Sequence, residues 1–149
     1  MSQIRPAMAD DRAEVEAIVH DAYSIYIPRM GREPGPMLDD YAALISARRV
    51  HVLKADGAVL GVVVLIPEPD AMLLDNVAVR PEAKGRGYGR LLITFAERTA
   101  REAGYGTIRL YTHETMTENI ALYNRIGFVE THRGEERGLR RVYMSKRLG

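Results

Sequence analysis

Cysteine is absent from the sequence, and this absence excludes several kinds of chemistry at once. A chain without cysteine has no disulfide, no thiolate zinc site and no cysteine nucleophile. The lack of disulfides fits a protein of a reducing compartment, so we expect a cytoplasmic location.

Long apolar runs and a strong imbalance of charge are also missing. No hydrophobic segment is long enough to span a bilayer, and residues 1–6 lack the apolar core of a signal peptide. The formal net charge is only +1, so the overall charge does not point to nucleic acid or to an acidic membrane surface. We therefore expect neither nucleic acid nor a membrane as a partner.

Several well-known site patterns do not occur. No two of the four histidines, which are His20, His51, His113 and His132, have the helical spacing His-x-x-x-His, so we expect no metal site. The chain has no Gly-x-Ser-x-Gly, so a serine hydrolase has no support. Its one glycine-rich segment contains neither Gly-x-Gly-x-x-Gly nor Gly-Lys-Ser/Thr, which disfavours dinucleotide and nucleoside triphosphate sites.

The chain does have the size and composition of a globular domain. It has 149 residues, of which 46% are hydrophobic, and we expect a single domain over residues 1–149. Periodicity and turn residues predict the order βααβββαβαββ. Antiparallel strands come first and two strand–helix units follow, which favours an α+β fold with a mixed sheet. The strands at 72–79 and 107–112 are joined by a helix, so they should be parallel neighbours.

Turn and helix signals also predict element boundaries. Pro28 should end a first helix that runs to about Tyr26, and a second helix is expected over residues 37–47. Asp56-Gly57 predicts a hairpin turn, and Gly61 in the following strand indicates a bulge or a close backbone approach. The last two strands are expected to be joined by a polar loop over residues 133–138.

The most informative stretch follows the strand at 72–79 and reads Lys84-Gly85-Arg86-Gly87-Tyr88-Gly89-Arg90. Glycine leaves backbone N–H groups open to an anion because no Cβ blocks the approach. The helix that should begin near Gly87 adds free N–H donors and the positive end of its dipole. The pattern favours a phosphate site; the plainer alternative is a strand-to-helix turn with a basic rim.

Asp75 and Asn76 interrupt an otherwise apolar strand. Strand alternation places Asp75 on one face with Val77 and Val79. Burying an acidic side chain in an apolar segment costs free energy unless the acid forms an ion pair or has a functional role. The residue pattern leaves two roles open for Asp75, a salt-bridge or capping residue and a general base with a raised pKa.

Four further residues are candidates for a substrate site. Tyr26, Arg29 and Met30 mix aromatic, basic and apolar character at a helix end, where they form either the edge of the core or one wall of a pocket. His113 follows a strand that should be parallel to the central one, so we expect it at the same end of the sheet as the glycine segment. It is a second candidate for a base.

Two residues of the last helix complete the candidates. Tyr123 lies in an apolar stretch, where helix spacing alone favours a core role over a functional one. Asn119 stands near the start of the helix and is either a cap or a ligand contact.

Two motifs together resemble the GNAT superfamily of acyl-CoA-dependent N-acetyltransferases. One is Val77-Ala78-Val79 followed by Lys84-Gly85-Arg86-Gly87-Tyr88-Gly89, and the other is Asn119…Ala121-Leu122-Tyr123…Gly127-Phe128. The loop signature of that family is Arg/Gln-x-x-Gly-x-Gly/Ala; Lys84 takes its first position, and Gly87 and Gly89 match. The resemblance implies a mostly antiparallel sheet of about seven strands with about four helices, and acetyl-CoA as co-substrate without a metal.

The same resemblance implies roles for the motif residues. Backbone amides from Gly85 to Arg90 would hold the CoA pyrophosphate, and Asn119 would contact the cofactor. The central strand would splay from its neighbour after Val77, whose N–H would face the acyl carbonyl, within a cofactor-binding segment that includes Ala78 and Val79. Tyr123 falls where the family often places a tyrosine that protonates the departing CoA thiolate.

The base is less constrained, because the family has no fixed one. Leu73 stands where histone-modifying members carry a glutamate. Polyamine-acetylating members have an acidic pair where this chain has Asp75-Asn76, so Asp75 matches and Asn76 departs. The resemblance thus implies Asp75, acting through water, as the base for an amine that attacks the thioester directly.

The expected function is transfer of an acetyl group to a primary amine of a small molecule. Two alternatives remain open at this stage: acetylation of a protein N-terminus or lysine, and a non-catalytic acyl-CoA-binding module. A pocket closed by Tyr26, Arg29 and Met30 would favour a small molecule, and an open groove would favour a protein. Members of the family are often dimers, so a homodimer is an option that the sequence does not test.

Overall fold

A computed structural model describes residues 2–149, which form one seven-stranded sheet flanked by helices. The strands are β1 (Ser2–Pro6), β2 (Val50–Ala55), β3 (Ala58–Pro67), β4 (Met72–Val79), β5 (Thr107–His113), β6 (Val129–Glu136) and β7 (Leu139–Arg147). The α-helices are α1 (Arg12–Tyr23), α2 (Ile27–Met30), α3 (Tyr41–Ser46), α4 (Tyr88–Glu102) and α5 (Thr117–Ile126). Within residues 2–149, no helix has the length and apolar character needed to cross a membrane.

The strand order is β1-β2-β3-β4-β5-β7-β6. Every neighbouring pair is antiparallel except β4 and β5, which are parallel because α4 connects them as a crossover. The predicted α+β class, the mixed and mostly antiparallel sheet and the parallel central pair are all confirmed.

The sheet carries a hydrophobic core on each face. On one face α1 packs Val15, Ile18 and Val19 against strand residues that include Val62. On the other face α4 packs a row of apolar residues at helical spacing, and these residues are Leu92, Ile93, Ala96 and Ala100. This two-sided packing fixes β3 and β4 in the middle of the molecule, where the site is built.

Gly61 combines both features that its position predicts. A bulge lies between β2 and β3, where Leu53 pairs with Gly61 while Lys54 pairs with Val59. A Cβ at Gly61 would lie 2.9 Å from Leu92 Cδ1, so the absence of a side chain lets α4 pack closely on the sheet.

A second bulge changes the geometry of β4. Val64 pairs with Asn76 and Leu65 pairs with Leu74, which leaves Asp75 as the extra residue. Met72 and Leu74 belong to the same core cluster as Val77 and Val79, so the side-chain alternation changes phase here. The prediction that simple alternation groups Asp75 with Val77 and Val79 is therefore wrong, because a bulge inserts one residue into the pattern.

β4 and β5 separate early. Their pairing is limited to Met72 with Ile108 and Leu73 with Arg109. The splay thus begins at Leu74, ahead of the position after Val77 that the resemblance implied. A bulged strand bends and twists away from its neighbour, which accounts for the earlier separation and for the cleft that it opens.

Three element boundaries differ from those predicted. Pro28 does not end the first helical segment but stands in the first turn of α2, where its missing N–H is not needed, and Gly31 ends that helix at φ 74°. The second helix is shorter than residues 37–47, because α3 starts only after the cap at Asp40, whose Oδ1 accepts from Ala43 N at 3.1 Å. β6 runs to Glu136, so the expected loop is a two-residue turn at Arg137 and Gly138.

Candidate functional site

A pocket of about 360 Å³ lies where β4 and β5 separate. Its walls come from the β4 bulge, the end of β5, α5, the segment 30–39 and the turn between β6 and β7. The lining includes aromatic, amide and charged side chains, together with one methionine: Tyr23, Met30, Arg32, Asp39, Asp75, Asn76, Tyr111, His113, Asn119, Tyr123, Arg137 and Arg141. The bulge and the two-residue turn therefore build this pocket together, although they are far apart in the chain.

Two carboxyl groups meet in the pocket. The carboxyl group of Asp75 lies beside that of Asp39, which stays solvent-exposed at the rim while Asp75 is half-buried. Burial, and next the Asp39 carboxyl, raises the pKa of Asp75 to about 7, against the opposing effect of Arg141. Partial desolvation also raises the pKa of Asp39. Two neighbouring carboxyl groups resist ionising together, so Asp75 can exchange a proton near neutral pH.

A buried hydrogen-bond network holds the bulge. The Tyr23 hydroxyl donates to Asn76 Oδ1 at 2.8 Å and contacts the Val77 carbonyl at 3.0 Å. Asn76 Nδ2 donates to the Tyr41 hydroxyl at 2.8 Å, and Tyr41 in turn donates to the Pro36 carbonyl. An amide suits this position because it both donates and accepts, whereas an ionised aspartate only accepts. The departure of Asn76 from the acidic pair of the resembled family thus has a structural role.

Tyr123 faces the same pocket from α5. Its side chain is 8% exposed and packs edge-on against Phe128, with ring centroids 5.7 Å apart. Burial raises the pKa of Tyr123 to about 12, so its hydroxyl keeps its proton throughout the neutral range. The residue is both a core residue and a pocket residue, which explains why helix spacing alone favoured the core. Asn119 lines the pocket one turn earlier.

The four candidate substrate residues divide into two groups. Met30 and His113 line the pocket. Tyr26 is buried in the core under α1, and the Arg29 guanidinium forms an ion pair with Glu118 at 2.7 Å instead of lining the pocket. His113 Nδ1 accepts from Thr115 N at 3.2 Å, and burial lowers the pKa of its ring. A role in substrate binding stays a prediction for all four.

The glycine loop, residues Lys84 to Arg90, lies outside this pocket. Gly85 and Gly87 both have φ 83°, a conformation that glycine adopts without strain. The first amide of α4 that donates into the helix is Leu91 N, to the Gly87 carbonyl at 3.1 Å, so the preceding amides are free to bind an anion. Within residues 2–149, Lys84, Arg86 and Arg90 form no ion pair. Free amides and unpaired cations suit a phosphate-bearing ligand.

Among residues 2–149, no three His, Asp or Glu side chains lie close enough together to bind a metal ion. The pocket itself can do proton chemistry, since it offers a carboxyl pair as acceptor and a protonated tyrosine as donor.

Sequence reasoning missed Asp39, which lies on a segment remote from β4. Its only signal was an acid pair, Asp39-Asp40, in a loop otherwise rich in glycine and proline.

Comparison with known protein families gives one match that covers most of the chain. A model described as the acetyltransferase (GNAT) family matches residues 15–128. Among curated proteins, the chain is 39% identical over 56 residues to a mycothiol acetyltransferase of Nocardia farcinica, covering 38% of this chain and 18% of that protein. It is 32% identical over 84 residues to one of Rhodococcus erythropolis, covering 56% and 24%. The chain thus spans about a fifth of the length of the curated relatives it matches.

Solved structures of the same fold cover nearly the whole chain. The ribosomal-protein-S18-alanine N-acetyltransferase of Escherichia coli superposes with a TM-score of 0.81 at 19% identity, covering 99% of this chain and 94% of that one. The PaiA N-acetyltransferase of Thermoplasma acidophilum, solved in complex with coenzyme A, has a TM-score of 0.81 at 17% identity and covers 99% of each chain. At these identities the likeness concerns the fold.

Proposed function

Because this chain belongs to the acetyltransferase (GNAT) family, we propose that it is an enzyme that moves an acetyl group from acetyl-CoA to a primary amine of a small molecule. The observation that carries the proposal is the Asp39–Asp75 pair inside the pocket at the splayed strands. A base with a pKa near 7 is suited to take a proton from an amine at neutral pH.

The glycine loop supports acetyl-CoA as the co-substrate. Free amides from Gly85 to Arg90 would bind the pyrophosphate, and Lys84, Arg86 and Arg90 would add positive charge around it. Tyr88 lies in the same loop, at the first position of α4. The Thermoplasma structure with bound coenzyme A has the same fold and adds support.

The β4 segment and Asn119 would bind the acyl end. The Val77 carbonyl contacts Tyr23 on α1, and the N–H and C=O of one strand residue point to the same side. This orientation supports donation from the Val77 N–H to an acyl oxygen in the splay, with Ala78 and Val79 continuing along the pantetheine arm.

In the proposed mechanism, acetyl-CoA supplies the acyl group as a thioester. Asp75, through water, accepts the proton that the amine loses as it attacks, and the Val77 N–H donates to the oxygen that gains negative charge. Tyr123 then donates its proton to the sulfur that leaves. The proton taken by the Asp39–Asp75 pair passes to solvent at the exposed rim, and Tyr123 regains a proton from solvent before the next turnover.

The raised pKa of Tyr123 changes one detail of this mechanism. Reference values of about 10 for tyrosine and 8.5 for a thiol would make the transfer nearly balanced. With a pKa of about 12, Tyr123 is a weaker acid. Burial of a thiolate in the same apolar surroundings raises its basicity too, so the donor and the acceptor shift in the same direction.

Acetyl-CoA consumption against a panel of small amines and a peptide tests the proposal. We expect turnover of small amines, and we expect Tyr123→Phe to lower kcat about a hundredfold, within the usual range for loss of a general acid. Tyr105→Phe is the matched control, because Tyr105 donates to the Glu68 carbonyl and does not line the pocket. Full activity of Tyr123→Phe would contradict its role as the acid.

The same assay separates the alternatives. Tight CoA binding without turnover of any amine would favour a binding module, and turnover of the peptide alone would favour a protein acceptor. A single domain over residues 1–149, a homodimer and a cytoplasmic location belong to the proposal as well. Limited proteolysis, light scattering and cell fractionation test these three points.

A further inference from the structure

Three arginines line the pocket in addition to the carboxyl pair. Arg141 is neutralised by Glu136 at 2.7 Å and lies over the Tyr111 ring, 4.1 Å from its centroid. Arg32 and Arg137 differ from it, because neither forms an ion pair with an acid anywhere in residues 2–149. Two arginines of the pocket lining therefore have no carboxylate paired with them in the described residues.

One hydrogen bond to a backbone carbonyl links these two arginines. Arg32 Nη1 donates to the Arg137 carbonyl at 2.9 Å, which ties the loop after α2 to the turn between β6 and β7. A Cβ at Gly138 would lie 3.3 Å from Arg32 Nη1, so a glycine there leaves room for the guanidinium. Both arginines thus stand at one rim of the pocket.

Arg137 occupies a position that is unfavourable for arginine. It has φ 54° and Gly138 has φ 80°, the pattern of a two-residue hairpin turn in which Asn-Gly is strongly preferred. A bulky residue with positive φ is uncommon. Strained residues of this kind cluster at ligand sites, and this one belongs to the lining of the pocket.

We propose that the acceptor is an amine that also carries an anionic group, either a carboxylate or a phosphate. Its amine would lie at Asp75, and its anion would bind between Arg32 and Arg137. This inference rests on the proposed function and narrows its substrate class. A guanidinium binds both kinds of anion through paired N–H donors.

The CoA phosphates do not account for these arginines. The glycine loop supplies its own three cations, and none of residues 84–90 lines the pocket. The two cationic groups are therefore separate sites, one for the acyl donor and one for the acceptor.

Acceptor series of matched length test the inference. Straight-chain ω-amino carboxylates and aminoalkyl phosphonates are compared with n-alkylamines and α,ω-diamines of the same number of carbons, with acetyl-CoA as donor. We expect kcat/KM for an anionic series to exceed that for the matched alkylamine about tenfold or more at the best length.

Variants at the arginines give the second readout. We expect Arg32→Gln and Arg137→Asn each to raise KM about tenfold for the anionic acceptor, with a much smaller effect on the alkylamine and no change in KM for acetyl-CoA. Asparagine suits the turn at position 137, so Arg137→Asn should fold well. Arg98→Gln is the control, because Arg98 lies on α4 outside the pocket.

The failure of this inference can be distinguished from failure of the proposed function. Turnover of alkylamines or diamines as efficient as that of the anionic series would overturn the anionic acceptor and leave the acetyltransferase intact. Equal effects of the arginine variants on both series would overturn it too. No turnover of any amine would overturn both.

Discussion

The glycine loop and the pocket both present charged groups, but they use different parts of the chain and different surroundings. The loop relies on backbone amides and exposed cations within seven consecutive residues, 84–90. The pocket relies on side chains from α1, the segment 30–39, β4, β5, α5 and the turn between β6 and β7. One is local and open to solvent, whereas the other is assembled by the fold and partly desolvated.

This difference decides how each region responds to its environment. Water and salt screen charges on an exposed loop, so its cations attract an anionic ligand only weakly and without fixed geometry. Desolvation in the pocket instead shifts pKa values, as at Asp75 and Tyr123. We therefore expect substitutions in the pocket to change kcat and pH dependence, and substitutions in the loop to change KM for acetyl-CoA.

The largest effect is expected at Asp75. Asp75→Asn should lower kcat about 10²- to 10³-fold, because an amide cannot accept the proton, while KM for acetyl-CoA changes little. Asp70→Asn is the control, because Asp70 forms an ion pair with Arg109 away from the pocket. Steady-state kinetics with one amine acceptor measures both values. Near-normal kcat in Asp75→Asn would direct the search for the base to His113.

A smaller effect is expected from the backbone of the loop. Gly87→Ala forces a Cβ into φ 83°, which costs about 1–2 kcal/mol and should raise KM for acetyl-CoA about five- to tenfold without a matching loss of kcat. Gly106→Ala is the control, since that glycine has ordinary φ and open space around it. If both substitutions leave KM unchanged, the loop does not bind the donor through its backbone.

Removing the Asp39 carboxylate tests the cause of the raised pKa of Asp75, which is the distinctive property of the pocket. The Asp39 carboxylate opposes ionisation of Asp75, so Asp39→Asn should lower the pKa of Asp75 from about 7 towards its ordinary value. The acid limb of kcat/KM should then move to lower pH for the same acceptor. Asp40→Asn should not move it, because Asp40 caps α3 and does not line the pocket. An unmoved profile in Asp39→Asn would show that Asp39 does not tune the base.

The smallest effect is expected at a single exposed cation of the loop. Arg86→Gln should raise KM for acetyl-CoA about two- to threefold at low ionic strength, since exposed charge pairs contribute about 0.2–1 kcal/mol. The difference should vanish at about 1 M salt, where screening extends over a few ångströms. A salt-independent effect would place Arg86 in a desolvated contact and weaken the contrast between the two regions.

The sequence by itself determined the parts of this protein that depend on neighbours along the chain. The element order apart from the short helix α2, the βαβ crossover, the Asp56-Gly57 turn and the glycine loop follow from periodicity and from glycine, because their causes lie within a few residues. The presence of both motifs in one sequence, the glycine loop and the segment around Tyr123, was enough to indicate the family.

Only the tertiary structure decided how the pocket is built. The bulge at Asp75, the contact with Asp39 and the arrangement of Arg32 above Gly138 join residues that are far apart in sequence. Their effects arise from desolvation and from proximity across the fold, and neither quantity is encoded by local pattern. Alternation along β4 failed at Asp75 for the same reason, since sheet pairing decides where an extra residue bulges.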